Sequence, residues 1–131
     1  MIAEDQLIQE PGGGWWASAE AGLEVFFEPA GTRPTTSDLA AVNSALASRA
    51  QLEHQAIGYI DTWVDRARPS TGAEYELRSV VFILGDRGHA QTKLQFQFPA
   101  DEGSEWWVLF NNPRPPHQPQ HWPVAFGRNQ R

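Results

Sequence analysis

The sequence predicts an α+β fold. One long helix covers a mostly antiparallel sheet of four or five strands, in two layers and in the order β(β)-α-β-β-β, with a proline-rich C-terminal arm. Three patterns predict this. Leu23–Glu28 and Ala90–Phe98 alternate apolar and polar residues with a period of two, as half-buried strands do. The stretch from Ser37 to Arg68 keeps a period near 3.6. Prolines at 113, 115, 116, 119 and 123 forbid regular structure through residue 123.

The elements follow in order. Met1 to Gly14 reads as a flexible lead-in ending in the hinge Pro11-Gly12-Gly13-Gly14. Trp15-Trp16-Ala17 makes a short strand, and Ala19 to Gly22 its turn. Leu23–Glu28 is the second strand and stops at Pro29. The helix starts near Ser37, because Thr35 and Asp38 have the spacing of a capping box. Leu39, Val42, Leu46, Ala50, Ile57, Ile60 and Val64 form its apolar stripe, flanked by Leu52, Ala56, Tyr59 and Trp63. So wide a stripe means either a well-covered helix or one that breaks and changes phase near Arg49. The pattern stops before Pro69, as the steric rule requires.

Tyr75–Leu84 is apolar on both faces in its second half, Val80 to Leu84, and belongs at the sheet centre. Gly85-Asp86-Arg87-Gly88 turns a hairpin. Ala90–Phe98 follows, then a turn over Pro99 to Ser104. Trp106–Phe110 is the last full strand. Residues 111–131 form an irregular arm in which Val124-Ala125-Phe126 offers a short edge strand, and Gly127 onward frays. The 131 residues suit one domain spanning 1–131.

Composition excludes several functions. There is no cysteine, hence no disulfide, thiolate metal site or cysteine nucleophile. The net charge of −6 offers no basic footprint for nucleic acid. No apolar run approaches the ~20 residues of a membrane span. The N-terminus lacks the features of a signal peptide, so the expected location is cytoplasmic. Charge is uneven: residues 1–66 carry −7 and residues 67–131 carry +1.

The catalytic inventory is poor. No Gly-x-Ser-x-Gly, phosphate-cradling loop or dinucleotide fingerprint is present. His117 and His121 are four apart, but the prolines around them rule out a helix, and no third ligand is near, so no metal is expected. His89 follows a turn. His54 shares a helix flank with Asp61 and Asp65, which reads as a solvated face. No catalytic residue and no cofactor are expected.

Two features stand out. Glu53 projects into the apolar stripe, where a carboxylate must be paired or protonated. Three readings stay open: a kink near Arg49 rotates it out, it pairs with Arg78 or Tyr75, or it is a catalytic or ligand-binding acid. The second feature is the pair of Trp-Trp dipeptides, Trp15-Trp16 and Trp106-Trp107. Adjacent residues on a strand point to opposite faces, so each pair sends one indole into the core and one to the outer face. With Trp122 and Phe126 these build an aromatic surface. Either the N-terminal segment or the arm covers it, or it meets a partner.

The Trp-Trp strand, the Leu23–Phe27 strand and the helix ending in Gly58-Tyr59-Ile60-Asp61-Thr62-Trp63 come first in chain order. The hairpin Tyr75–Phe98 follows, then Trp107-Val108-Leu109-Phe110-Asn111 and Pro123-Val124-Ala125-Phe126-Gly127. In architecture this resembles small bacterial domains of unknown function, some of them similar to immunity proteins of polymorphic toxin systems. The resemblance implies binding of a toxin by surface complementarity, often through an acidic face. No catalytic residue carries over from it.

The expectation is therefore a non-enzymatic cytoplasmic protein-binding domain, immunity-like in its sharpest form. Its binding residues would be Trp15, Trp16, Trp106, Trp107 and Trp122, and its partner a basic protein or a second copy. The alternative is a small-molecule binder or enzyme with a site between helix and sheet around Glu53.

Overall fold

The computed structural model describes residues 1–20, 22–63, 75–85, 90–101, 103–114, 116 and 118–130. Seven strands form a single mixed sheet: β1 (Ile8–Gln9), β2 (Trp15–Glu20), β3 (Leu23–Glu28), β4 (Glu76–Ile83), β5 (Gln91–Gln97), β6 (Ser104–Asn111) and β7 (Trp122–Gln130). Their spatial order is their chain order. Between β3 and β4 the chain passes through two helices, α1 (Thr36–Ala47) and α2 (Arg49–Trp63). The β3·β4 pair is parallel, and each of the other pairs is antiparallel.

This overturns the expected architecture of four or five antiparallel strands under one long helix. The helix breaks at Ser48, whose backbone (φ −101°, ψ 18°) leaves the helical region and whose N–H is shared between the carbonyls of Ser44 and Ala45. The break falls beside Arg49, where the width of the apolar stripe allowed one. The break also changes the buried phase. Leu39, Val42 and Ala45 of α1 are buried, while α2 buries Leu52, Ala56, Ile57 and Ile60 and leaves Ala50 exposed. The N-terminus of α1 is as expected: Asp38 N–H donates to Thr35 Oγ1 (3.1 Å), and Thr35 N–H donates to Asp38 Oδ2 (2.7 Å).

Both chain ends are more ordered than their composition suggests. Ile2 is only 2% exposed and belongs to the core. Its backbone is clamped to α1: Ile2 N–H donates to Asn43 Oδ1 (2.8 Å), and Asn43 Nδ2–H donates back to Ile2 O (2.9 Å). The lead-in also supplies a 3₁₀ turn (Glu4–Gln6) and the edge strand β1. At the other end β7 runs nine residues, through the segment expected to fray. It is an edge strand, where a proline such as Pro123 is tolerated because a missing N–H breaks no ladder. The parallel β3·β4 pair follows from the helical crossover, which returns the chain to the same end of the sheet.

The strand over Tyr75–Leu84 is central as expected: β4 is fourth of seven, and Val80, Val81 and Phe82 are buried. One sheet face carries Val25, Phe27, Phe82, Leu94, Phe96, Val108 and Phe110 into a core shared with both helices. The expected hairpin turn at 85–88, the helix end near Arg68, and His89 and His117 lie wholly or partly outside the described residues.

Candidate functional site

The helix-free face of the sheet is built by register. Cα pairing aligns Trp16, Phe26, Val81, Lys93, Leu109 and Ala125 in one row across six strands. The Trp16 and Phe26 rings lie 6.5 Å apart. On β3, Glu24 and Glu28 stand two residues either side of Phe26, share its face, and are exposed. The neighbouring row is polar: Ser79 donates to Gln95, and Gln95 Nε2–H donates to Glu105 Oε1 (3.0 Å). Farther along, Gln91 Nε2–H donates to Asn111 Oδ1 (2.8 Å). Among the described residues, neither the N-terminal segment nor the arm lies across this face. The first runs to α1 and the sheet edge. The second passes Ser44 and Ser48 on the helix side, with Pro119, Gln120 and His121, before becoming β7.

The tryptophan dipeptides split as the strand period requires. Trp15 packs against the core, with the Arg33 guanidinium 5.0 Å from its ring. Trp16 is on the outer face. Trp106 is 7% exposed and turned into the core, where its Nε1–H donates to Asp101 Oδ2 (2.9 Å). Trp107 is on the outer face, pairs with Gln95 and Gly127, and carries the Lys93 ammonium 5.6 Å above its ring. Trp122 starts β7 and is 64% exposed. The six site residues named from sequence are thus not one cluster. Trp16 and Trp107 share the outer face with Trp122 at its edge, Trp15 and Trp106 belong to the core side, and Glu53 is elsewhere.

Glu53 is close to buried, with its side chain 13% exposed despite the break at Ser48. Its partners are Arg49, whose Nε–H donates to Oε2 (3.1 Å), and Tyr75. Arg49 also reaches Glu20 at the end of β2. Burial first, then the charge and hydrogen bond of Glu53, push the Tyr75 hydroxyl above its ordinary value, against a smaller opposing pull from Arg49. Tyr75 is the partner expected from sequence. Arg78 is not: it pairs with Glu76 (3.2 Å). The Glu20–Arg49–Glu53–Tyr75 chain ties β2, the helix break and the start of β4 together, which is what a structural ion-pair network does.

Among the described residues no cluster of three or more His, Cys, Asp or Glu side chains could hold a metal ion. His54 is exposed. His121 is half-buried, burial pushes its imidazole below the ordinary value, and its Nε2 has no hydrogen-bond partner. No helix of the described residues is long and apolar enough to cross a membrane.

Sequence reasoning missed Phe26, Glu24 and Glu28 as parts of the face. Their signal was present: in Leu23–Glu28 the residues opposite Leu23, Val25 and Phe27 are these three. It also missed exposed Trp63, which packs edge-on against Tyr59 at 6.4 Å. No family model, curated protein or solved structure matches this chain.

Proposed function

We propose that the chain is a non-enzymatic protein-binding domain that docks a basic partner on its helix-free sheet face. The immunity-like form of this reading, acting in the cytoplasm, is the sharpest version. The observation that carries it is the Trp16–Phe26 pair set between exposed Glu24 and Glu28. A cationic side chain laid on that pair meets aromatic faces and two carboxylates at once. Trp107, by contrast, already has Lys93 over its ring. Aromatic residues in such positions anchor interfaces, and rim carboxylates steer the encounter.

The test uses the protein encoded beside this chain's gene. If that protein is basic and binds, Phe26→Ala should weaken binding about thirtyfold, mainly through faster dissociation. The Glu24→Gln, Glu28→Gln double variant should slow association and flatten its salt dependence. Binding that survives all three changes, or a sheet face closed by a second copy in solution, would overturn the reading.

A further inference from the structure

The sheet ends in two unlike edges. At one end β1 is two residues long. At the other β7 runs nine residues, and among the described residues it exchanges backbone hydrogen bonds with β6 alone. The groups on its far side form a row of unpaired donors and acceptors, which is a template for another strand. Pro123 removes one donor at the start of β7, and Val124 through Gln130 contain no further proline.

Apolar side chains gather on both faces of this edge. Five large apolar residues stand exposed among the described residues, and three of them, Trp63, Trp122 and Val124, are here. The register sets Trp122 beside Asn111, on the outer face. Val124 is the extra residue of a bulge and has no Cα partner on β6. On the helix side Phe126 meets Tyr59 of α2 edge-on at 6.0 Å, and Trp63, one turn farther along α2, is 66% exposed. A partner docked on either face would cover one of these indoles and leave the other in water. A strand added to the edge reaches both, because its alternate side chains point to the two faces in turn.

Charge and length select which strand is added. The chain carries −6, yet β7 has no acidic residue, and its one described cation, Arg128, is held by Asp101 through two hydrogen bonds (2.8 and 3.0 Å). Two copies of β7 therefore meet without opposing carboxylates. Antiparallel pairing sets the two Arg128 side chains at opposite ends of the seam, whereas parallel pairing would set them side by side. β1 is too short to receive β7, so head-to-tail pairing into a fibre has no second edge, and like-with-like pairing closes after two copies.

We propose that β7 pairs antiparallel with β7 of a second copy, about a two-fold axis normal to the sheet. That operation keeps the helices of both copies on one side. It brings the Trp63 side chains toward the seam on the helix side and the Trp122 side chains toward it on the outer side. The two seven-stranded sheets become one, within the size that open sheets reach. The helix-free faces stay open, so edge pairing and the docking of a basic partner can fail separately.

The experiment is sedimentation velocity of the full chain from about 1 to about 500 µM, with amide hydrogen exchange at both ends of that range. The mass should double with Kd of order 10 µM. Alternate amides within Val124–Asn129, those facing away from β6, should gain protection as the dimer forms. Val124→Lys, at an exposed position, puts two charges into the seam and should weaken dimerisation at least about thirtyfold. Trp63→Ala should weaken it about tenfold. Both variants should keep the wild-type urea midpoint at about 1 µM, where the chain is monomeric. A chain that stays monomeric throughout, a dimer that both variants leave unchanged, or a dimer without new protection in β7 would overturn the proposal.

Discussion

Gly127 shows how a single residue is set by its neighbour across the sheet. It pairs with Trp107, and an added Cβ would enter the indole, 2.7 Å from Nε1. No real side chain makes so close a contact, so the ring must lift. Gly127→Ala should therefore destabilise the chain by about 1–3 kcal/mol, the usual range for overpacking. Urea denaturation followed by tryptophan emission checks this, and the emission should shift to the red as Trp107 meets water. Asp101 is a second such residue. Its Oδ2 accepts from Arg128 Nε–H (2.8 Å) and from Trp106, and its Oδ1 accepts from Arg128 Nη2–H (3.0 Å). Arg128 is the main cause that brings its carboxyl down from 3.8 to about 2, against an opposing push from burial and with help from Trp106 and Ser104. A depressed carboxylate adds stability above its unfolded value and loses it as pH falls through the folded one. Thermal unfolding of Asp101→Asn should match wild type near pH 2. It should fall below wild type from about pH 4 upward.

Between helix and sheet, the element that matters most is the break at Ser48. It places Arg49 where it reaches Glu20 on β2 and Glu53 on α2 at once. Removing Arg49 leaves Glu53, 13% exposed, with Tyr75 alone. Breaking such a pair costs more than replacing both members, because one charge stays buried without its partner. Arg49 is a third exposed, which screens part of the effect. Arg49→Met should cost about 1–2 kcal/mol, and adding Glu53→Gln should cost less than the sum of the two, by about 1 kcal/mol. Additive losses in the denaturation series would show that the two side chains do not couple. The same element decides between the two readings of the apolar stripe: the break near Arg49 that its width allowed is the one found, although Leu39, Val42, Ile57 and Ile60 also fit one continuous face and neither glycine nor proline marks Ser48.

At the scale of the whole molecule, the helices cover one face of the sheet, and among the described residues no helix covers the other. Phe82 and Ile83 are adjacent on β4 and divide between these faces. Phe82 is fully buried beneath the helices, and Ile83 is half-buried on the other side. Phe82→Ala should cost about 3–5 kcal/mol, as core aromatics do. Ile83→Ala should cost under about 1.5 kcal/mol, because its site keeps contact with water and leaves no closed cavity. Equal losses in urea would mean that both faces are covered.

The sequence by itself determined the local structure of this protein. Period-two alternation marked β3 and β5, the Thr35–Asp38 box marked the start of α1, and the doubled tryptophans had to split between faces. Each of these is a relation between residues a few positions apart, and backbone geometry alone enforces it. Tertiary structure decided the rest. The helix ends at Ser48, where the backbone leaves the helical region, and packing of the two segments on the core, not a local signal, sets which residues each one buries. The expected short edge strand Val124–Phe126 extends to Trp122–Gln130 because β6 offers a free edge to pair with, which Pro123 and the polar residues Arg128 to Gln130 could not announce. Ile2 is core because Asn43 holds its backbone against α1. The face around Trp16 and Phe26 exists only once register aligns β2, β3 and β4 across a crossover of about fifty residues. The apolar edge at β7 likewise needs Tyr59 of α2 to meet Phe126, and no local pattern encodes contacts that far apart.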